Sequence, residues 1–184
     1  MKKCIICDRE HSDETVEHIV PNSLGNIHYV LRKGLVCGKC NNRFSRFEHH
    51  VVNSEPWISV RKQQGLVNKP SDLSAKETEE HKEVLFLMKI LYESLYLSRP
   101  GLLEFIDLSE VKKALNKGMP KDYELFHDKA LNHKTWIPGW WDRWILRMNR
   151  IHLAYQHDNS SLYFYFRYAT IDRVLRVPCS STEN

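Results

Sequence analysis

Cys4 and Cys7, then Cys37 and Cys40, form two Cys-x-x-Cys pairs about thirty residues apart. Such pairs present four soft thiolates from two tight turns, the spacing of a closed, structural zinc site. Buried small hydrophobes or a redox Cys-x-x-Cys would not explain two pairs flanking one hairpin. A closed site keeps no open coordination position, so chemistry has to come from elsewhere. Between the pairs lies Thr15-Val16-Glu17-His18-Ile19-Val20-Pro21, and Asn41-Asn42 follows the second pair directly. Histidine titrates near neutrality and suits a general base. A carboxylate and an amide oxygen suit magnesium, which takes oxygen ligands. Phosphodiester hydrolysis needs both functions, a base to activate water and a cation to stabilise developing charge. Glu17, His18 and Asn41 are the candidate catalytic residues on that chemistry, although a lone strand histidine is more often structural or at the surface.

These residues have to be positioned by local elements. Residues 1–52 read as a zinc-tied ββα unit. Cys4 and Cys7 make a turn, and Glu10 to Glu14 is a polar loop. Residues 15–20 alternate Val16, His18, Val20 against Thr15, Glu17, Ile19, which is strand-like. Neighbours on a flat strand face opposite ways, so Glu17 and His18 can share a site only where the strand twists or bulges. Pro21 ends the strand, and Asn22 to Asn26 is turn-forming. Ile27 to Leu31 and Gly34 to Val36 can return to the second pair. Cys40, Phe44, Phe47 and Val51 then fall on one helical stripe.

Residues 53–80, with Pro56, Gly65 and Pro70, read as a partly extended connection holding the domain boundary. An α+β accessory domain is expected over 81–178 and a polar tail over 179–184. Within that domain Lys82 to Leu97 is amphipathic, with Val84, Leu87, Met88, Leu91 and Leu95 on one face that is core or a partner interface. Ser109 to Lys117 is a second helix with Ser109 as N-cap and Gly118 beyond its end. Ile151 to Gln156 and Leu162 to Tyr168 read as a β-hairpin, and Arg173 to Val177 as a third strand. Trp136, Trp140, Trp141 and Trp144 form an aromatic cluster, more simply core than a base-stacking platform.

At 184 residues, 42% apolar and 27% charged, the chain has the composition of a globular protein. A net charge of +4 permits nucleic-acid binding without requiring it. No apolar run reaches the length of a membrane span, and no apolar segment follows Met1-Lys2-Lys3 as in a signal peptide. A cytoplasmic location without membrane contact is therefore expected, where paired cysteines favour metal over disulfide. Cys179 reads as an incidental thiol.

Taken together, Cys-x-x-Cys, Glu-His-Ile-Val-Pro-x-Ser-Leu-Gly and Val-Cys-x-x-Cys-Asn-Asn resemble the HNH endonucleases of the ββα-metal superfamily, in the branch with a four-cysteine zinc. The resemblance covers roughly residues 4–52. It implies an N-terminal HNH module with Zn²⁺ on Cys4, Cys7, Cys37 and Cys40. It further implies His18 as general base, a catalytic Mg²⁺ or Mn²⁺ on Glu17 and Asn41, DNA as substrate, and products with a 5′ phosphate. One element departs from the pattern. The middle asparagine of many such motifs, which orients the histidine, is missing from Leu31-Arg32-Lys33-Gly34-Leu35. Asn26 or a backbone carbonyl is left for that role.

Lys39, Arg43 and Arg46, with Arg32 and Lys33, can contact phosphates or simply be solvated. Glu48 is either a residue behind the site or part of a solvated helix face, and His49-His50 reads as surface. The expectation is a metal-dependent DNA endonuclease whose accessory domain serves substrate choice, homodimerisation or partner binding. The alternatives are a zinc-stabilised nucleic-acid-binding module without catalysis and an RNA-cleaving toxin.

Overall fold

The computed structural model describes residues 1–66, 76–127, 144–147, 151–157 and 160–181. Strands β1 (Lys2–Lys3) and β2 (Glu10–His11) pair antiparallel around the first cysteine turn, so part of the expected polar loop is a strand. No regular strand forms over 15–20. One antiparallel bridge joins His18 to Val30, flanked by backbone bonds from Ile19 N to Tyr29 O (3.1 Å) and Leu31 N to Glu17 O (2.9 Å). A short 3-10 turn, Asn22–Leu24, rounds the corner and ends on Gly25 in the left-handed region (φ 84°).

Helix α1 (Gly38–Val52) begins at the second cysteine pair, with Cys37 as its N-cap residue. The first-turn amide of Gly38 donates to the Asp13 carboxylate at 2.7 Å, placing an anion at the positive helix end. Its predicted stripe is the buried one: Cys40, Phe44, Phe47 and Val51 are all at most 5% exposed. Helix α2 (Trp57–Gln63) lies in the stretch expected to be a partly extended connection. Trp57 is fully buried there, and its ring meets Phe86, Phe166 and Tyr168 with centroids 5.3 to 6.2 Å apart. Burial of one large indole thus turns the connection into part of the core.

Helix α3 (Glu80–Ser98) is the spine. Every residue from Glu83 to Leu95 is buried, so the expected single apolar face is exceeded. A helix enclosed on all sides is packed between layers rather than lying on a surface. The short helix α4 (Leu102–Phe105) and strand β3 (Ile106–Asp107) lead into α5 (Ser109–Lys117). Asp107, not Ser109, caps α5: its carboxylate accepts from the Ser109 amide at 2.8 Å. Gly118 closes the helix in the left-handed conformation (φ 73°), as expected.

Strands β4 (Glu124–His127), β5 (Trp144–Arg147), β6 (Ile151–His157), β7 (Ser161–Tyr168) and β8 (Ile171–Pro178) form one antiparallel sheet in the order β4-β8-β7-β6-β5. The hairpin of the sequence reading is its centre. Leu162, Phe164, Phe166 and Tyr168 are fully buried, while Tyr163, Tyr165 and Arg167 on the other face are half-buried. A last strand, β9 (Ser180–Ser181), lies in the polar tail and pairs with β3. Trp136, Trp140 and Trp141 of the aromatic cluster lie outside the described residues, and Cys179 packs partly buried against the core.

One cluster of buried side chains runs from Cys4 to Val177 through α1, α2, α3 and the sheet. Among the described residues no helix is long and apolar enough to cross a membrane. Trp57 sits at the junction of the layers, and its Nε1 donates to Glu83 Oε1 at 3.0 Å. Trp57→Ala is expected to cost about 3–5 kcal/mol, measured by urea denaturation followed by circular dichroism.

Candidate active site

The cysteine cluster is built by two turns brought face to face. In the first, the Cys4 amide bonds Arg9 O and the Asp8 amide bonds Cys4 O, each at 3.0 Å; in the second, Cys37 and Cys40 sit on the opening turn of α1. The Ile5 amide to Leu35 O (3.0 Å) holds the turns together. Gly34 is required in this approach. It has φ 77°, and a Cβ there would lie 2.8 Å from Asp13 O.

The four Sγ atoms lie within 4.8 Å of one another, with Cys7 and Cys37 at 3.7 Å. The hydrogen bond from Cys40 draws the Cys4 thiol down to about 4, while Cys40 in turn is pushed up by its bond to Cys4. Burial works against ionisation of Cys7, and the Arg9 guanidinium 3.4 Å from its sulfur outweighs it. One thiolate thus forms readily and hinders the next, a conflict that a bound cation resolves. The four cysteines are positioned to bind a metal ion, as their spacing predicts.

Glu17 and His18 both line one cleft of about 390 Å³, facing Asn41, Ser45, Glu48 and His49 from α1. The three candidate catalytic residues are therefore brought together. Asn41 is fixed by its Nδ2, which donates to Val16 O at 3.1 Å, and its backbone carbonyl accepts from Ser45 Oγ at 3.1 Å. Glu17 is 4% exposed, and burial pushes its carboxyl above the usual range against the opposing pull of Lys89. Among the described residues, Glu17 Oε2 and His18 Nδ1 are buried and have no hydrogen-bond partner.

Asn26, a candidate to replace the middle asparagine, is fully buried and makes no bond to the His18 ring. Its Nδ2 donates to Val20 O (2.6 Å) and Tyr29 O (3.1 Å), and its Oδ1 accepts from the amides of His28 and Tyr29. It braces the turn of the ribbon that carries His18, through backbone groups rather than through the imidazole.

The predicted phosphate contacts are placed elsewhere. Lys39, Arg43 and Arg46 do not line the cleft. At 100° per residue they lie some 140° to 200° around α1 from Asn41, on other faces of the helix. Arg43 is committed to α5, donating to Leu115 O (3.1 Å), to Asn116 O and to Asn116 Oδ1 (3.0 Å), where a cation suits the negative helix end. Lys39 and Arg46 are exposed.

The sequence reading misses Lys89 of α3 altogether. Fully buried, its Nζ lies 2.7 Å from Glu17 Oε1, 2.8 Å from Glu48 Oε1 and 3.1 Å from Glu93 Oε2. Burial opposes its charge, but Glu48, Glu93 and Glu17 outweigh that and hold it protonated. Glu93, also fully buried, is pushed well above the carboxylate range by burial. A lysine inside an apolar helix with Glu93 four residues on was the available signal. Arg61 of α2 also lines the cleft, held by Ser23 O, Val52 O and Asn53 Oδ1.

Residues 4–54 match the HNH_5 family, described as HNH endonuclease. The match covers that segment, and the rest of the chain lies outside it. No curated protein and no solved structure matches the chain.

Cobalt added to the reduced protein is expected to load at one ion per chain and give the intense thiolate charge-transfer bands of a tetrahedral four-sulfur site. Cys7→Ser should weaken those bands. Their absence in the wild-type protein would refute a closed cysteine site.

Proposed function

We propose that the protein is a metal-dependent HNH endonuclease that hydrolyses phosphodiester bonds in DNA. One observation carries the reading: Glu17, His18 and Asn41 meet in one cleft, where a carboxylate oxygen and an imidazole nitrogen are buried without partners. Buried polar atoms are ordinarily satisfied, so such orphans suit a ligand. The donor set, one carboxylate and one amide, matches a hard divalent ion such as Mg²⁺ or Mn²⁺. When bound, that ion supplies positive charge for the leaving 3′ oxygen.

The chain's own residues do the rest. His18 accepts a proton from water as the water oxygen attacks phosphorus, and the bond from phosphorus to the 3′ oxygen breaks, leaving a 5′ phosphate. Glu17 and Asn41 would hold the ion beside His18. Zn²⁺ on the four cysteines serves as frame, tying the ribbon to the start of α1. Reduced cysteines of this kind suit the cytoplasm.

The pairing of Glu17 with Lys89 favours a second reading, a nucleic-acid-binding module without catalysis, because Glu17 already has a cation at hand. Plasmid cleavage with Mn²⁺, an EDTA control and the His18→Ala variant separates the two. The nuclease reading predicts metal-dependent cutting that falls by at least about 100-fold in the variant, with plasmid binding retained. Binding without cutting by the wild-type protein would support the second reading, and preferential cutting of RNA would reassign the substrate.

A further inference from the structure

The closed side of the cleft holds a group for which the proposed chemistry has no direct use, the Lys89 ammonium. Besides its three carboxylates it donates to the backbone carbonyls of His18 and, at 3.1 Å, of Ile19. The Glu17 side chain and two successive carbonyls are thereby gathered on one buried atom. A compact ammonium with rotatable donors suits acceptors that converge on one point better than a planar guanidinium does.

That convergence bears on the geometry of the Glu17-His18 pair. A flat strand sends neighbouring side chains to opposite faces. Here only His18 and Val30 pair as a bridge, yet Glu17 and His18 both line the cleft. Holding the carboxylate of one residue and the carbonyl of the next to a single charge fixes the two residues relative to each other.

Resting on the nuclease reading, we propose that Lys89 is a positioning residue of the active site, setting Glu17 and His18 relative to each other from a helix outside the segment that matches the HNH family. Catalytic geometry is then shared between the ribbon, α1 and α3. Lys89 contacts neither water nor phosphate in this role. As a cation 2.7 Å from Glu17 it disfavours a second cation on that carboxylate, so its contribution is geometry and not ion affinity.

This separates two effects that a merely structural lysine would not separate. The zinc-loaded full chain is compared with Lys89→Met and with Lys89→Met/Glu93→Gln, which removes a buried carboxylate together with the ammonium. Single-turnover plasmid cleavage is measured at saturating Mn²⁺, and Mn²⁺ affinity by electron paramagnetic resonance. Zinc content and thermal unfolding report the fold. In a variant that keeps both, cleavage is expected to fall about 100-fold while Mn²⁺ binds as tightly as before or more tightly. A folded variant cutting at the wild-type rate would overturn the proposal, as would a folded variant whose Mn²⁺ binding is weakened. Failure of both variants to fold would assign Lys89 to the fold and overturn it as well. A wild-type protein that binds plasmid without cutting would instead bring down the nuclease reading, and the proposal with it.

Discussion

A charged amine at the centre of the molecule constrains everything around it. Lys89 is fully buried among Glu17, Glu48 and Glu93, which come from the ribbon, from α1 and from α3 itself. Desolvating an ammonium is costly unless its acceptors stay in place, and breaking such a cluster on one side leaves a buried charge uncompensated. Neither α3 nor the ribbon can slide without that cost. Six residues earlier, on another face of the same helix, Glu83 accepts from Arg173 Nε of β8 at 2.8 Å and from the Trp57 indole. The spine is thus tied by buried polar contacts to the HNH segment on one side and to the sheet and α2 on the other.

The cysteine cluster constrains the same ribbon from its outer end. It fixes the start of α1 against the first turn, and Asp13 holds the opening amide of that helix. Lys112 of α5 reaches back to Asp8 in the first cysteine turn at 2.8 Å, while Arg43 of α1 caps the end of α5. Asn41 therefore enters the cleft from a helix anchored at its first turn, and Glu17 and His18 from a ribbon closed by Asn26. Such rigidity is what the proposed hydrolysis requires, because catalytic geometry tolerates little displacement.

Much of this was legible in the sequence because it rests on local spacing. Two Cys-x-x-Cys pairs, a stripe of Cys40, Phe44, Phe47 and Val51, and alternation over Leu162 to Tyr168 each carry their own period. The grouping of Glu17, His18 and Asn41 came from their chemistry and from the resemblance of the motif that carries them. What was not legible depends on long-range burial. Lys89 sits in a helical sequence where a lysine ordinarily marks the solvent face, and its partners on the distant ribbon and on α1 explain its burial. Trp57 looked like part of a connection because the rings that cover it come from α3 and β7. Arg43 offered a charge for phosphate, and only the fold brings the carbonyls of α5 to it. The four-residue strand β4 is too short for a periodic signal.

The central claim is that a divalent ion belongs beside His18, on Glu17 and Asn41, while Lys89 stays behind Glu17. Anomalous diffraction from crystals of the zinc-loaded protein soaked in Mn²⁺ tests this directly. The predicted result is a manganese peak in the cleft, bonded to Glu17 and Asn41 and distinct from the zinc peak at the cysteines, with Lys89 still paired to Glu17. No manganese at Glu17, or an ion that displaces the Lys89 ammonium from it, would contradict that claim.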